Sequence, residues 1–472
     1  MLFSQVFSWG YDLVNPPLYT WLIILAQELV GVHFASIAIV KFSLYGLIFY
    51  FFYQVSSWIL ADKLLSGLAT LSLLWLYYVG WDAALSYSHT VLAACLIMAS
   101  LFALFRLADK GDIRSYIFVG IVFGLGLISK YTFSLFILAS LIAGLFSPLL
   151  RYRLLNPRFI ISLVIMLIAF APHGVWLSEN LVGINFAVTE KFGISNSTGP
   201  VLSRVKGLFN FITSIVGFLS PLWIILCVLF FQPIKKIVGC PVNLDKYLKF
   251  LLTYFIILFG IVFSIIILFG ISKIRGHYMF VFIPAPIAFF VWIKPALSEF
   301  KYIKLVVIFM TLAVALNGAG MIVKYISEPL RCSLCQFLVP YSKIAKELKK
   351  EGFKSGTIYA YYFPHDLAGN LRVQFPHARV VSTKFPSIPL KTNLAPGQCL
   401  IIWTPNPQGP MNGFGMLTQL KNQLKVEFPN QLWDGQVNTV PENFLSFKFE
   451  RTKNKFGRFG YIIIPNGIGN CK

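Results

Sequence analysis

MLFSQVFSWGYDLVNPPLYTWL, residues 1–22, reads as an extramembrane loop, because glycine, asparagine and a proline pair interrupt its aromatic residues. About ten apolar segments of membrane length come after it. The side of the membrane on which this loop lies therefore sets the topology of the rest of the chain.

The chain has 472 residues, of which 57% are hydrophobic, 16% aromatic and 12% charged. A soluble domain cannot bury that much apolar surface, so the first two thirds belong in lipid. From Ser327 to Lys472 no apolar run is long enough to span, and charge returns. The expected fold is a polytopic α-helical membrane protein of about ten transmembrane helices with a C-terminal α/β domain. Residues 1–32 form a loop with an interfacial helix, 33–326 the transmembrane domain and 327–472 the soluble domain. No cleavable secretory signal, internal repeat or low-complexity tract is visible.

The net charge is +22. No basic domain with a recognition motif accompanies it, so nucleic acid is excluded as a partner. Roughly +10 of the charge lies in the C-terminal region, which suits anionic lipid headgroups or simply a basic proteome.

Spans fall near 33–60, 64–81, 84–106, 115–129, 132–149, 159–178, 209–232, 250–272, 277–294 and 304–324. Alternate connections then hold about fourteen Lys/Arg, among them Arg151, Arg153 and Arg158, against about six in the other set. The richer set is cytoplasmic by the positive-inside rule. The C-terminal domain and the opening loop both lie outside, in the periplasm of a Gram-negative cell. A chain that begins outside without a cleaved signal implies an earlier helix, so an N-terminal transmembrane helix is expected to be missing. A genuine outside start or a miscounted span is the alternative.

On the outer side, polar groups gather at the membrane surface, where ionisable residues are functional candidates. The opening loop offers Tyr11, Asp12, Asn15, the stiff Pro16-Pro17 pair and Tyr19, and 18–31 reads as an interfacial helix. Asp82 follows Trp81 in a tiny loop, and Ser88 and His89 open the next helix. Lys130, in GLGLISKYTF (124–133), either snorkels or neutralises a phosphate. His173, in FAPHGVWLSEN (170–180), is a pocket residue or a hydrogen-bonded structural one. In ISKIRGHYMFVFIPAPIAFF (271–290), Lys273, Arg275, His277 and Tyr278 crowd the mouth of a span. Two cations and a tyrosine beside lipid suit a lipid-linked phosphate, with interfacial anchoring as the plain alternative.

No nucleotide loop or zinc spacing is present. A divalent ion beside an acidic loop stays open, but no ligand set is visible. Cys332 and Cys335 form a C-x-x-C read as a disulfide, with each other or with Cys399 or Cys471. Asn196-Ser197-Thr198 is a glycosylation sequon only in a glycosylating pathway. In the tail, strands TIYAYY, ARVVSTKF and CLIIWTP alternate with helices 340–353, 366–375 and 416–428, and a hairpin with Gly457 near its turn closes the chain. His365, Asp366 and Arg372 line a site or serve as caps and surface groups.

These pieces resemble a family. WGYDLVNPPLYTWL (9–22), the G-L-x-x-K turn in GLGLISKYTF and the basic-Tyr-proline span RGHYMFVFIPAPIAFF are similar, in that order, to GT-C glycosyltransferases of the protein O-mannosyltransferase and ArnT-like (aminoarabinose lipid A transferase) superfamily. The resemblance covers roughly residues 1–300, and the α/β tail resembles the periplasmic domain of some members. It implies an inverting transfer from a polyprenyl-phosphate sugar to a lipid (lipid A or lipopolysaccharide-like) or protein hydroxyl, at the outer face of a bacterial inner membrane. The donor carries its own phosphate leaving group, so the enzyme must supply cations to that phosphate and a carboxylate base to the acceptor.

Lys273 and Arg275, with Lys130 behind them, are the expected phosphate ligands. Tyr11, Asn15, Tyr19, His89, His173 and Tyr278 are the expected pocket. The family's catalytic Asp-Glu pair would fall before Met1, and His89 follows Ser88 where relatives tend to carry an Asp. Asp12 and Asp82 are the best-placed remaining carboxylates. Two rivals stand beside this reading. A flippase would need charged or broken mid-membrane helices, and only Lys41 lies near the middle of a span. An inactive lipid-binding paralogue is the other.

Overall fold

The computed structural model describes the chain outside residues 83–87, 182, 184–188, 190–191, 194–198, 238–244, 298–302, 332–337, 362–365, 383–396, 404–442, 454–455 and 465–472. Cys332, Cys335, His365, the sequon at 196–198 and the helix expected over 416–428 lie outside the described residues. The chain divides into two compact units, one of residues 9–19 and 38–320, the other of 1–8, 20–37 and 321–472.

The protein is a polytopic helical membrane protein. Among the described residues seven helices are long and apolar enough to cross a membrane: Phe34–Leu60, His89–Lys110, Phe159–Glu179, Val201–Leu219, Lys246–Phe269, Tyr278–Pro295 and Val307–Arg331. Shorter apolar helices, Lys63–Trp75, Ile113–Leu127 and Phe133–Phe146, occupy the other three positions read from the sequence. Aspartates start several of them by accepting an otherwise orphaned amide proton: Asp62 from Leu65 at 2.9 Å, Asp112 from Ser115 at 3.0 Å and Asp245 from Tyr247 at 3.3 Å.

Two expected spans are not continuous helices. The segment placed at 209–232 begins at Pro200, ends at Leu219 and resumes as Leu222–Leu229. Pro221 lacks an amide proton and holds Ser220 extended (φ −81°, ψ 149°), so the helix must stop there although the apolar run continues. The segment placed at 64–81 is α-helical only over Lys63–Leu71 and ends in a π-helical turn, Tyr77–Asp82. Between the two it passes through a 3₁₀ turn, Ser72–Trp75, and an extended Leu76 that bridges to Pro221. The two breaks meet, and the Tyr77 amide donates to the Ser220 carbonyl at 2.9 Å.

Small residues let helices approach closely. A Cβ at Gly120 would lie 2.7 Å from the Ser162 carbonyl oxygen, and one at Gly124 would lie 2.6 Å from the Ala169 methyl. Helices Ile113–Leu127 and Phe159–Glu179 therefore pack backbone to backbone, as membrane helices do where glycine recurs every four residues. The Ser162 hydroxyl closes the contact on the Tyr116 carbonyl at 2.7 Å.

The second unit holds a five-stranded sheet in the order β2-β1-β3-β5-β4. Its strands are β1 Gly356–Tyr361, β2 Arg379–Ser382, β3 Gln398–Trp403, β4 Asn443–Lys448 and β5 Phe456–Ile464. β1 runs parallel to β2 and β3, while β5 is antiparallel to β3 and β4. Gly457 lies inside the β4–β5 ladder opposite Phe447, where a Cβ would meet the phenyl ring at 2.4 Å. Helices Tyr341–Lys350 and Asp366–Gln374 bury Ile344, Leu348, Leu367 and Leu371 in one core with Ile358 and Leu400 of the sheet. Cys399, buried on β3, is disulfide-bonded.

Candidate active site

Within the larger unit, five separate stretches converge: the loop 9–19, the start of helix Ser88–Lys110, the turn 128–132, the end of helix Phe159–Glu179 and the segment 272–282. The turn is the hub. Helix Ile113–Leu127 ends where Gly126 and Gly124 carbonyls accept the Ile128 amide, and the Ile128 carbonyl then takes the Leu18 amide at 3.1 Å. This bond seats the Pro16-Pro17 end of the loop beside the turn.

Lys130 is buried, only 5% exposed. Its Nζ donates to the Thr90 hydroxyl at 2.8 Å and lies over the rings of Phe280 at 4.7 Å and Tyr278 at 5.6 Å. Aromatic faces set beside an amine in this way favour its cationic form, and a charge there acts in a low-dielectric setting. Thr90 follows His89, whose ring lies 5.2 Å from that of Tyr19. Tyr19, His89, Lys130 and Tyr278, read separately from the sequence, thus form one contiguous cluster.

Lys273 and Arg275 sit differently. Both side chains are exposed. Their segment is held by its backbone: the Ser272 and Lys273 amides donate to the Phe192 carbonyl at 3.2 and 3.1 Å, and the Asn210 side-chain amide donates to the Ser272 carbonyl at 2.7 Å. The Arg275 carbonyl accepts the Tyr278 amide at 2.9 Å. They supply surface charge beside Tyr278, whereas Lys130 is buried within the cluster, as Lys41 is elsewhere in the same unit.

His173 is fully buried. Its Nδ1 lies 2.7 Å from the Trp9 carbonyl oxygen and its Nε2 lies 3.2 Å from the Tyr131 hydroxyl. A carbonyl can only accept, so the proton is assigned to Nδ1, and Nε2 accepts from Tyr131. The imidazole also stacks between Tyr131 (5.9 Å, 12°) and Trp176 (5.7 Å, 14°). Gly10 faces the same indole, and a Cβ there would lie 2.2 Å from it. Burial, with the Asp12 carboxylate nearby, holds the Tyr131 phenol far above the ordinary tyrosine range. Asp12 accepts from the Val14 amide at 3.1 Å and the Asn15 side chain at 3.3 Å, which fixes its carboxylate within the loop. Tyr11 is buried, and Asp82 is half-buried in the turn Tyr77–Asp82.

Sequence reasoning passed over Thr90, Tyr131 and Phe280. Tyr131 and Phe280 carried a faint signal, each standing beside a residue already singled out. Thr90 carried none beyond its place after His89. Among the described residues no group of three or more His, Cys, Asp or Glu side chains could hold a metal ion, so the divalent ion considered from the sequence finds no ligand set there.

A nearly wholly apolar groove of about 530 Å³ is lined by Ile212 and Val216 of helix Pro200–Leu219, Phe255 and Phe259 of helix Lys246–Phe269, and Phe282. Phe282 stands four residues after Tyr278.

The profile of the dolichyl-phosphate-mannose-protein mannosyltransferase family matches residues 14–176. The chain is 28% identical over 418 residues to the lipopolysaccharide core galacturonosyltransferase RgtA of Rhizobium johnstonii, covering 85% of this chain and 80% of RgtA. It is 26% identical over 413 residues to RgtB of the same organism, with the same coverage. Its fold is similar to the crystal structure of ArnT from Cupriavidus metallidurans bound to undecaprenyl phosphate, with TM-score 0.54, 11% identity, and 96% of this chain and 90% of that one covered. The chain is a membrane glycosyltransferase whose fold is similar to that of ArnT.

Proposed function

We propose that this glycosyltransferase takes a sugar from a polyprenyl-phosphate donor and passes it to a hydroxyl of a lipopolysaccharide-like lipid at the outer face of the membrane. The observation that carries the reading is Lys130. A buried amine is bonded to Thr90 and flanked by Tyr278 and Phe280, and the segment that carries those two rings also supplies Phe282 to an apolar groove. A lipid phosphate needs both parts, a desolvated cation for its head and an apolar channel for its chain. The similarity to a protein crystallised with undecaprenyl phosphate and to two lipopolysaccharide core glycosyltransferases supports the same donor and acceptor classes.

In this reaction the acceptor oxygen attacks the anomeric carbon, a new C–O bond forms, and the bond to phosphate breaks with its electron pair leaving on the phosphate oxygen. Lys130 stabilises the charge that develops there, and a fixed charge in a water-poor site is the strongest such aid a protein can offer. Asp12, held by Val14 and Asn15, takes the acceptor's proton. The loop 9–19 presents Asp12 only while His173 holds the Trp9 carbonyl. Lys273 and Arg275 attract the anionic donor from the surface.

The test is transfer by the purified chain from a radiolabelled polyprenyl-phosphate sugar to lipopolysaccharide. Label in the acceptor, polyprenyl phosphate released in equal amount, and loss of both in Lys130→Ala are expected. Donor binding without transfer to lipopolysaccharide would overturn the reading.

A further inference from the structure

The smaller unit holds a second concavity of about 640 Å³. Its walls include Phe7, Ile24, Gln27, Glu28, Arg372 and His377. Polar and apolar surface are mixed there, unlike the apolar groove beside Phe282, and the volume suits one or two sugar rings.

The helix Leu18–Val30 divides its residues between two environments. Leu25, Leu29 and Val30 are exposed apolar side chains, as on a helix lying in a lipid interface. Ile24, Gln27 and Glu28 face the concavity instead. A ligand tethered to lipid can therefore reach it along this helix.

Arg372, 6% exposed, holds the inner wall rigid. Its guanidinium donates to the Met1 carbonyl, to the Ser4 hydroxyl at 2.7 Å, to the Ser4 carbonyl at 3.0 Å and to the Gln27 side-chain carbonyl at 3.3 Å. All four acceptors are neutral, so the buried positive charge is solvated but not cancelled by them. Burial draws the guanidinium down to about 10, which leaves it charged at neutral pH.

At the rim, Glu28 and His377 are exposed, and neither has a hydrogen-bond partner among the described residues. A carboxylate and an imidazole of this kind accept from and donate to sugar hydroxyls. Phe7, 54% exposed, stacks on Trp21 at 5.1 Å and 24°, and Trp21 is fixed by its Nε1 donating to the Ser8 carbonyl at 2.8 Å. The result is an exposed aromatic face held in place, a platform for the apolar face of a pyranose ring.

We propose that this concavity binds the saccharide headgroup of a glycolipid, with a preference for sugars carrying acidic groups. Phe7 stacks on the ring, Glu28 and His377 bond its hydroxyls, and Arg372 supplies the field that favours a negative substituent.

The test uses the full chain in lipid nanodiscs without any donor, so its outcome is independent of the transfer reading. The probe is the deacylated core oligosaccharide of lipopolysaccharide, titrated calorimetrically, with intact lipopolysaccharide as competitor. Saturable binding is expected, weakened about tenfold in each of Phe7→Ala and the double variant Glu28→Ala/His377→Ala, whose side chains are exposed. Unchanged affinity in both variants would overturn the proposal. So would binding of intact lipopolysaccharide but not the oligosaccharide, which points to acyl chains. Displacement by inorganic phosphate or by phosphatidylglycerol vesicles as readily as by lipopolysaccharide would reduce the site to a simple anion contact and also overturn it.

Discussion

His173 joins two parts of the chain that share no sequence proximity: its Nδ1 holds the Trp9 carbonyl at 2.7 Å while its Nε2 meets the Tyr131 hydroxyl at 3.2 Å. The two bonds separate by isosteric substitution. Asparagine places its amide near the position of Nδ1, and glutamine reaches toward Nε2. His173→Asn is expected to retain most transfer, whereas His173→Gln and His173→Ala should lose about tenfold or more, the cost of a buried carbonyl left unbonded. Steady-state kinetics of the three variants check this; equal losses in all three would remove the loop-holding role.

Gly10 is the loop's point of closest approach to the Trp176 indole. Gly10→Ala must displace the loop, because a Cβ would stand 2.2 Å from ring carbons. Transfer should fall at least about tenfold, and Trp176→Leu in the same chain should restore part of it by making room. A double-mutant cycle on kcat/KM reads the coupling.

The buried and exposed cations should behave differently. Lys130→Ala is expected to lower kcat/KM for the donor by at least about 100-fold, the scale of losing one preorganised charge at the reacting group. Lys273→Ala and Arg275→Ala should cost about tenfold or less, and their effect should shrink as salt is raised, because exposed charges are screened. Donor kinetics across a salt series distinguish the three.

Asp12→Asn keeps a side chain of the same shape that can still accept from the Val14 amide, but it removes the base. A fall in kcat of at least about 100-fold with donor binding retained is expected. If Asp82→Asn shows that loss and Asp12→Asn does not, the base is Asp82.

Tyr131 gives a pH test of the packing. Burial, with Asp12 nearby, raises its phenol in the fold, so the folded chain keeps a proton that the unfolded chain loses near pH 10. Stability from this group is complete below that pH and falls above it, since the folded state then binds more protons. Tyr131→Phe should lose less stability than the parent chain between about pH 9 and 11, read from thermal midpoints.

The apolar segments, the existence of a helix at Leu18–Val30, the strands β1, β2 and β3 and the closing hairpin were legible in the sequence because local period and composition report them. Apolar content alone ran one continuous span through 209–232 and missed the break at Ser220–Pro221. The proline was visible, but a hydropathy window is blind to the amide it lacks. Lys273 and Arg275 drew attention by crowding, and the structure gives the buried role to the solitary Lys130. Its burial is supplied by Tyr278 and Phe280, nearly 150 residues away, and no local pattern encodes such a contact.

Sequence by itself determined that the chain lives in lipid and that an α/β domain follows the helices, and it singled out Lys130, Lys273 and Arg275 as candidates for a lipid-linked phosphate. These properties arise from transfer free energies and backbone propensities, which act residue by residue. Tertiary structure alone decided which cation is desolvated, that a histidine holds the opening loop through Trp9, and that Arg372, legible only as a cap or surface group or a site candidate, is the buried wall of a second concavity. Those outcomes depend on side chains brought together from distant positions, where burial rather than residue type sets what a charge can do.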